Sequence, residues 1–86
     1  MTPEEKAKDR ADLISAYVSA RKKASTAWTT YRDIGRRRKA GREAYQTYQA
    51  YNRSADGLMW QIQMRHGLDA VQQAYDALDQ ATPQAA

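Results

Sequence analysis

The 86-residue chain contains no cysteine, no phenylalanine, a single histidine, four glycines and two prolines. Without cysteine it cannot form a disulfide, a thiolate nucleophile or a Cys-ligated zinc site. The lone histidine, His66, excludes two-histidine metal motifs and Cys–His pairs, so we interpret it as a helix-terminal residue. No glycine stretch has the P-loop spacing. We therefore expect a non-enzymatic protein with no cofactor and no metal.

The chain also lacks long apolar segments. No apolar run approaches the ~18 residues that a membrane span needs, and the first residues, Met1–Lys6, are charged rather than apolar. We therefore expect no signal peptide and no membrane partner. The absence of cysteine fits a reducing compartment, so a cytoplasmic location is predicted. The length predicts one small domain, 1–86, whose limited core would benefit from self-association into a homo-oligomer.

Helical periodicity dominates the first part of the chain. Thr2, Pro3 and Glu5 form a helix start, with a capping hydroxyl, a first-turn proline and an acid that completes a capping box. Apolar residues then recur at spacings of four and three, which is typical of a helix packed along another helix. They are Leu13, Tyr17, Ala20, Ala24, Ala27, Tyr31 and Ile34. Gly35 suits a helix end, so a helix is predicted over about 3–34.

The same spacing resumes later in the chain. Its apolar members are Ala44, Tyr48, Tyr51, Ala55, Leu58 and Ile62. A glycine at position 67 resembles a Schellman ending, so the second helix is predicted over about 42–66. A third helix is predicted over about 68–81, before a frayed tail at 82–86. Its apolar face consists of Leu68, Val71, Tyr75 and Leu78.

These patterns predict an all-α fold, in which a long antiparallel helical hairpin carries the short third helix at its open end. In one continuous helix the apolar seam would pass through Arg38 and Gly41, which are poor core residues. The hairpin is therefore favoured, and a long dimeric coiled coil is the alternative. If the chain reverses near residue 38, Trp60 and Met64 fall at the open end, nearly opposite Ile62. We interpret them as the docking surface for the third helix or, alternatively, as a patch for a partner.

Charge is distributed unevenly along the chain. Residues 18–53 carry ten basic side chains against two acidic ones, a net charge of +8, whereas 1–17 and 54–86 carry −1 and −3. The basic residues are densest around the predicted turn. Arginine forks there match phosphate oxygens and lie beside a helix N-terminus, which favours an anion, and a nearby tyrosine could stack on a base. The predicted anion-binding or nucleic-acid-binding residues are Arg32, Arg36, Arg37, Arg38, Lys39, Arg42, Tyr45 and Arg53.

Three functions are compatible with this pattern. The first is a small binding module whose basic hairpin tip engages nucleic acid without strong sequence specificity. The second is an inhibitor or adaptor, of the kind encoded by phages and mobile elements, that docks on a larger machine and offers its tip to an acidic protein surface. The third is a sponge for an anionic nucleotide, held at an oligomer interface between tyrosines and arginines. The positive central segment favours the first.

Overall fold

The computed structural model describes residues 1–81, which form three α-helices. They are α1 (Pro3–Ile34), α2 (Lys39–His66) and α3 (Leu68–Ala81). Helices α1 and α2 pack along each other as an antiparallel hairpin, and α3 packs at the open end. The predicted all-α hairpin is therefore confirmed, and the chain does not adopt the alternative of one continuous helix. The predicted tail at 82–86 lies outside the described residues.

Helix α1 begins and ends where the sequence predicts. The Thr2 hydroxyl accepts a hydrogen bond from the Glu5 amide at 3.1 Å, and a proline occupies the first turn. At the other end, the Gly35 amide donates to the Tyr31 carbonyl at 2.7 Å. Gly35 has φ 87° and ψ 159°, a backbone region that essentially only glycine occupies. Local chemistry therefore accounts for both ends of the helix.

Helix α2 begins at Lys39, earlier than the predicted start at residue 42. Arg38 occupies the cap position with an extended backbone, and its carbonyl accepts the Arg42 amide at 3.1 Å. The early start places Gly41 inside the first turn, buried against Gly35. The close contact between these two glycines shortens the connection to residues 35–38, so Lys39 belongs to the helix.

The buried positions of α1 and α2 are mainly small residues. They are Ile14, Tyr17, Ala20, Ala24, Ala27, Gly41, Ala55 and Ile62. Of the predicted α1 seam, the middle is buried, Leu13 and Tyr31 are half-buried, and Ile34 is 37% exposed. Ile34 is exposed because it is the last residue of α1, where the chain turns away. The alanines allow the two helices to approach closely, which accounts for the long seam.

Helix α3 packs mainly through Ala70 and Ala74, both 0% exposed, and only partly through the predicted face. Leu68 and Tyr75 are 72% and 48% exposed, whereas Val71 and Leu78 are half-buried against the core. The contact face therefore lies about one residue earlier than predicted. Alanine permits the closest approach of the helix backbones, and this close packing outweighs the burial of the larger side chains.

Trp60 and Met64 are 63% and 64% exposed. The interpretation of these residues as the docking surface for α3 is therefore wrong. The cluster that buries α3 instead includes Ile62 and Met59, which lie on another side of α2. Trp60 and Met64 face outward at the open end, where the partner-patch interpretation stays a hypothesis.

The molecule is elongated, with extents of 51 × 29 × 17 Å and a radius of gyration of 15.1 Å. A compact domain of this length would have a radius of gyration of about 12 Å. Three helices meet at the open end, and beyond the end of α3 the hairpin continues as a two-helix stalk. No helix within residues 1–81 has an apolar stretch of the length that a bilayer crossing requires.

Candidate nucleic-acid interface

The hairpin turn gathers six basic residues at one end of the molecule. Three arginines occupy positions 36–38 of the connection and are exposed, while the others come from the last turn of α1 and the first turns of α2. We call this group the basic tip. Its members are Arg32, Arg36, Arg37, Arg38, Lys39 and Arg42.

Only part of the basic tip is neutralised by acids. Arg32 Nε lies 3.5 Å from Asp33 Oδ1, and Lys39 Nζ lies 3.9 Å from Glu43 Oε1. Both pairs are solvent-exposed and contribute about 0–1 kcal/mol. The members of the tip that form no ion pair with any residue in 1–81 are Arg36, Arg37, Arg38 and Arg42. A surplus of positive charge therefore remains at the turn.

The start of α2 adds to this positive potential. Its first turn contains no acidic residue, and within the described chain no side chain caps it. The positive end of the helix dipole is therefore exposed beside the arginines. Arg42 Nη1 donates to the Arg37 carbonyl at 3.1 Å, which holds its guanidinium against the connection. A guanidinium has five N–H donors, so this bond leaves donors free for an anion.

Four aromatic side chains form a cluster directly below the basic tip. Across the hairpin, the ring centroids of Trp28 and Tyr48 are 5.1 Å apart, and those of Tyr31 and Tyr45 are 5.0 Å apart. Within each helix, Trp28 and Tyr31 are separated by 5.6 Å, and Tyr45 and Tyr48 by 6.1 Å. Each ring therefore contacts two others in a closed square, which we call the aromatic cluster.

The helical repeat does not predict this cluster, because Trp28 lies outside the apolar series of α1 and two of the tyrosines, Tyr31 and Tyr48, belong to the predicted seam. The available signal was their symmetry about the turn. Trp28 and Tyr48 each lie ten positions from residue 38, and Tyr31 and Tyr45 each lie seven. Antiparallel helices that reverse at this residue bring such positions level with each other. Tyr45, which was predicted near the tip, is one corner of the square.

Two corners of the aromatic cluster face solvent: Trp28 is 43% exposed and Tyr45 is 38% exposed. On α1, Arg21 lies seven positions before Trp28 and Arg32 lies four positions after it, so all three share one side of the helix. Tyr45 lies three positions after Arg42, within one turn of α2. Exposed rings and arginines therefore alternate on this face.

The aromatic cluster lies on the face of the hairpin to which α3 is bound. A cleft of about 400 Å³ separates Trp28 and Tyr48 from the end of α3, where it is lined by Leu78 and Asp79. Its other wall includes Arg21, whose Nη1 donates to Asn52 Oδ1 at 2.8 Å. Asp79 gives this end of the face a negative charge, whereas the opposite end leads to the basic tip.

Arg53 is exposed but does not belong to the basic tip. It lies eleven positions beyond Arg42, about 16 Å along α2. Eleven residues complete about three helical turns, so the two arginines share one outward side. Trp60 lies on the same side, since it is eighteen positions, or about five turns, from Arg42. The structure therefore aligns these predicted residues but separates them along the helix.

A polar cluster joins α1 to α2 at the open end. His66, the last residue of α2, has a side chain only 2% exposed, and its Nε2 donates to Oδ2 of Asp9 at 2.8 Å. Arg65 Nη1 donates to Oδ1 of the same carboxylate at 3.1 Å. The hydrogen bond from His66, together with the nearby Arg65, lowers the pKa of Asp9. The cluster binds the first helix to the end of the second.

Within residues 1–81, no three His, Cys, Asp or Glu side chains are grouped so that they could hold a metal ion. Comparisons of the chain with models of protein families, with curated protein sequences and with solved structures find no match.

Proposed function

We propose that this protein is a small non-enzymatic binding module whose basic tip engages the phosphates of nucleic acid. The observation that carries the proposal is the group of exposed arginines that have no ion pair within the described chain. They are Arg36, Arg37, Arg38 and Arg42. Guanidinium groups bind phosphate oxygens through paired hydrogen bonds. The uncapped start of α2 adds a favourable dipole for the same anion.

The shape of the stalk supports binding without strong sequence specificity. Two packed helices are about 20 Å across, wider than the ~12 Å major groove of DNA. The arginines at the end of the stalk therefore reach backbone phosphates more readily than base edges. Phosphate contacts position a protein on nucleic acid but carry no sequence information directly.

The salt dependence of DNA binding tests this proposal. If five residues of the basic tip contact duplex phosphates, affinity should fall with a log–log slope of about −4.5, or roughly 500-fold between 50 and 200 mM salt. The triple variant Arg36→Ala/Arg37→Ala/Arg38→Ala should bind much more weakly, with a slope about 2.7 units shallower. Fluorescence anisotropy of a labelled duplex measures both quantities, and circular dichroism should show unchanged helicity.

A charge-matched variant controls for net charge. Lys6→Ala/Lys8→Ala/Lys22→Ala removes the same charge from exposed positions outside the basic tip and should keep most of the affinity. An unchanged affinity and slope in the arginine triple variant would remove the basic tip from the function.

A second candidate, an adaptor or inhibitor, is supported by a separate observation. Trp60, Met64 and Leu68 are 63%, 64% and 72% exposed where α2 meets α3. Exposed apolar residues of this size, when grouped, are typical of a protein-binding surface. An adaptor of this kind would bind an acidic protein surface with its basic tip. It would leave the fluorescence anisotropy of free nucleic acid unchanged. A nucleotide sponge would instead melt at a higher temperature with a mononucleotide and ignore the duplex.

A further inference from the structure

We infer that this protein prefers single-stranded nucleic acid, with unpaired bases stacking on Trp28 and Tyr45 while the basic tip holds the phosphates. The inference rests on the proposed function and extends it from the phosphates to the bases. It assigns a ligand, unpaired bases, to the aromatic cluster. Phosphate binding by the basic tip alone does not require this cluster.

The arrangement of charge and rings supports a single strand. Trp28 lies between Arg21 and Arg32 on one side of α1, and Tyr45 lies one turn from Arg42 on α2. A strand whose phosphates lie on Arg32 or Arg42 therefore has its bases within reach of an exposed ring. Positive charge interleaved with aromatic rings is the usual surface for single strands, because every base has a π-face.

Two rings of the aromatic cluster offer open surface to a base. Tyr31 and Tyr48 are half-buried, whereas Trp28 and Tyr45, at opposite corners of the square, are 43% and 38% exposed. A base stacked on either ring would cover this apolar surface.

The opposite side of the same stretch is built differently. A groove there is lined mainly by lysine, threonine and alanine, among them Lys22, Lys23, Thr26, Thr30 and Thr47. The two helices therefore approach each other on that side through small and polar side chains. Four rings lie on the other face, next to the basic tip, whereas this groove contains one, Tyr51.

Paired bases cannot use this surface. In a duplex the faces of the bases are stacked on one another, so neither face is open to an aromatic side chain. Stacking should therefore add affinity only for unpaired bases. Loss of one stacked base lowers affinity by roughly ten-fold or more, which sets the size of the effect to be measured.

The experiment compares an oligothymidine with a duplex of equal length at about 50 mM salt. Trp28→Ala and Tyr45→Ala should each weaken oligothymidine binding roughly ten-fold and leave duplex binding unchanged. Trp28→Tyr keeps a ring and should retain most of the affinity. Trp60→Ala is the matched control, because it removes an exposed tryptophan from the open end, and it should change neither affinity.

Fluorescence supplies a readout that requires no change in the aromatic cluster. In a Trp60→Phe background, Trp28 is the sole tryptophan, so stacking of a base should quench its emission with oligothymidine and not with duplex. This measurement also decides the question if Trp28→Ala unfolds the protein.

The outcomes separate the two proposals. If neither nucleic acid binds, the proposed function fails and the inference fails with it. If both bind equally, Trp28 emission is unchanged and Tyr45→Ala binds normally, the basic tip remains a phosphate site and the preference for single strands is overturned. Selective quenching together with selective loss in Tyr45→Ala supports both.

Discussion

The turn that carries the basic tip depends on Gly41. This residue is buried in the first turn of α2 against the backbone of Gly35. A Cβ atom at position 41 would overlap the Gly35 carbonyl oxygen and lie 2.8 Å from its carbonyl carbon. Both are backbone atoms, so they cannot rotate away. Two glycines in contact therefore limit the connection to residues 35–38, which keeps three arginines together at the end of the hairpin.

We expect Gly41→Ala to lower the free energy of unfolding by roughly 1–3 kcal/mol, because the connection must move to admit the methyl group. This loss should exceed the gain of about 1 kcal/mol that alanine offers over glycine within a helix. Gly57→Ala is the matched control, since a Cβ atom there would contact nothing in residues 1–81 beyond its own turn of helix within 4 Å. It should stabilise the protein by about 0.5–1 kcal/mol. Urea denaturation measures both, and a stabilising Gly41→Ala would contradict the tight turn.

Among the helices, alanine determines which faces meet. Ala55, Ala70 and Ala74 are 0% exposed, whereas the larger Leu68 and Tyr75 lie largely outside the core. Each alanine buries little apolar area, so few large side chains contribute most of the hydrophobic stabilisation. Among residues 1–81, the largest fully buried side chain is that of Ile62, which belongs to the cluster where all three helices meet.

Substitutions along α2 should therefore differ sharply in their effects. We expect Ile62→Ala to lower the free energy of unfolding by about 2–5 kcal/mol, because it leaves a cavity in the core. Trp60→Ala and Met64→Ala should each change it by no more than about 0.5 kcal/mol, since both side chains are mainly in solvent. Thermal denaturation followed by circular dichroism measures the series. A large loss in Trp60→Ala would contradict the exposed position of this side chain.

Over the whole molecule, folding moves the positive charge from the middle of the chain to one end. The segment with net charge +8 spans residues 18–53, and the hairpin folds its densest part into the end of a particle 51 Å long. At the other end, Arg65 and His66 both bind the carboxylate of Asp9. Ion pairs therefore neutralise part of the charge at the open end, whereas most arginines of the basic tip have no acidic partner within the described chain.

The hydrogen bonds of Asp9 at the open end should make the free energy of unfolding depend on pH. The hydrogen bond from His66, aided by Arg65, holds the pKa of Asp9 below its ordinary value of 3.8. A carboxyl group with a lowered pKa in the folded state stabilises the fold fully above its unfolded pKa, and this contribution is lost as the pH falls through the folded pKa. We therefore expect the melting temperature to fall as the pH decreases below about 4. Asp9→Asn should melt lower at neutral pH and show a shallower acid dependence.

Asp12→Asn is the control for the pH experiment, because Asp12 is an exposed acid of α1 that has no ion pair within residues 1–81. It should keep the wild-type pH profile. A profile for Asp9→Asn that matches the wild type would show that the contact between α1 and α2 at this end contributes nothing to stability.

Features that depend on near neighbours in the chain could be predicted from the sequence. The capped start of α1, the glycine at its end, the number of helices in the described chain and the basic stretch follow from local chemistry and from the helical repeat. The arginines of the candidate site could be predicted for the same reason, because most of them are close together in the sequence.

Features that depend on contact between helices could be predicted only in part: the middle of the α1 seam is buried as expected, but the contact face of α3 differs. A helical repeat shows which residues share a side of a helix, but not which side meets another helix. The contact face of α3 is set by the close packing of its alanines, and Trp60 and Met64 remain exposed. Trp28 was missed because Tyr48, its partner across the hairpin, lies twenty positions away along the chain. The two rings become neighbours only when the chain reverses at residues 35–38, which places the aromatic cluster beside the basic tip.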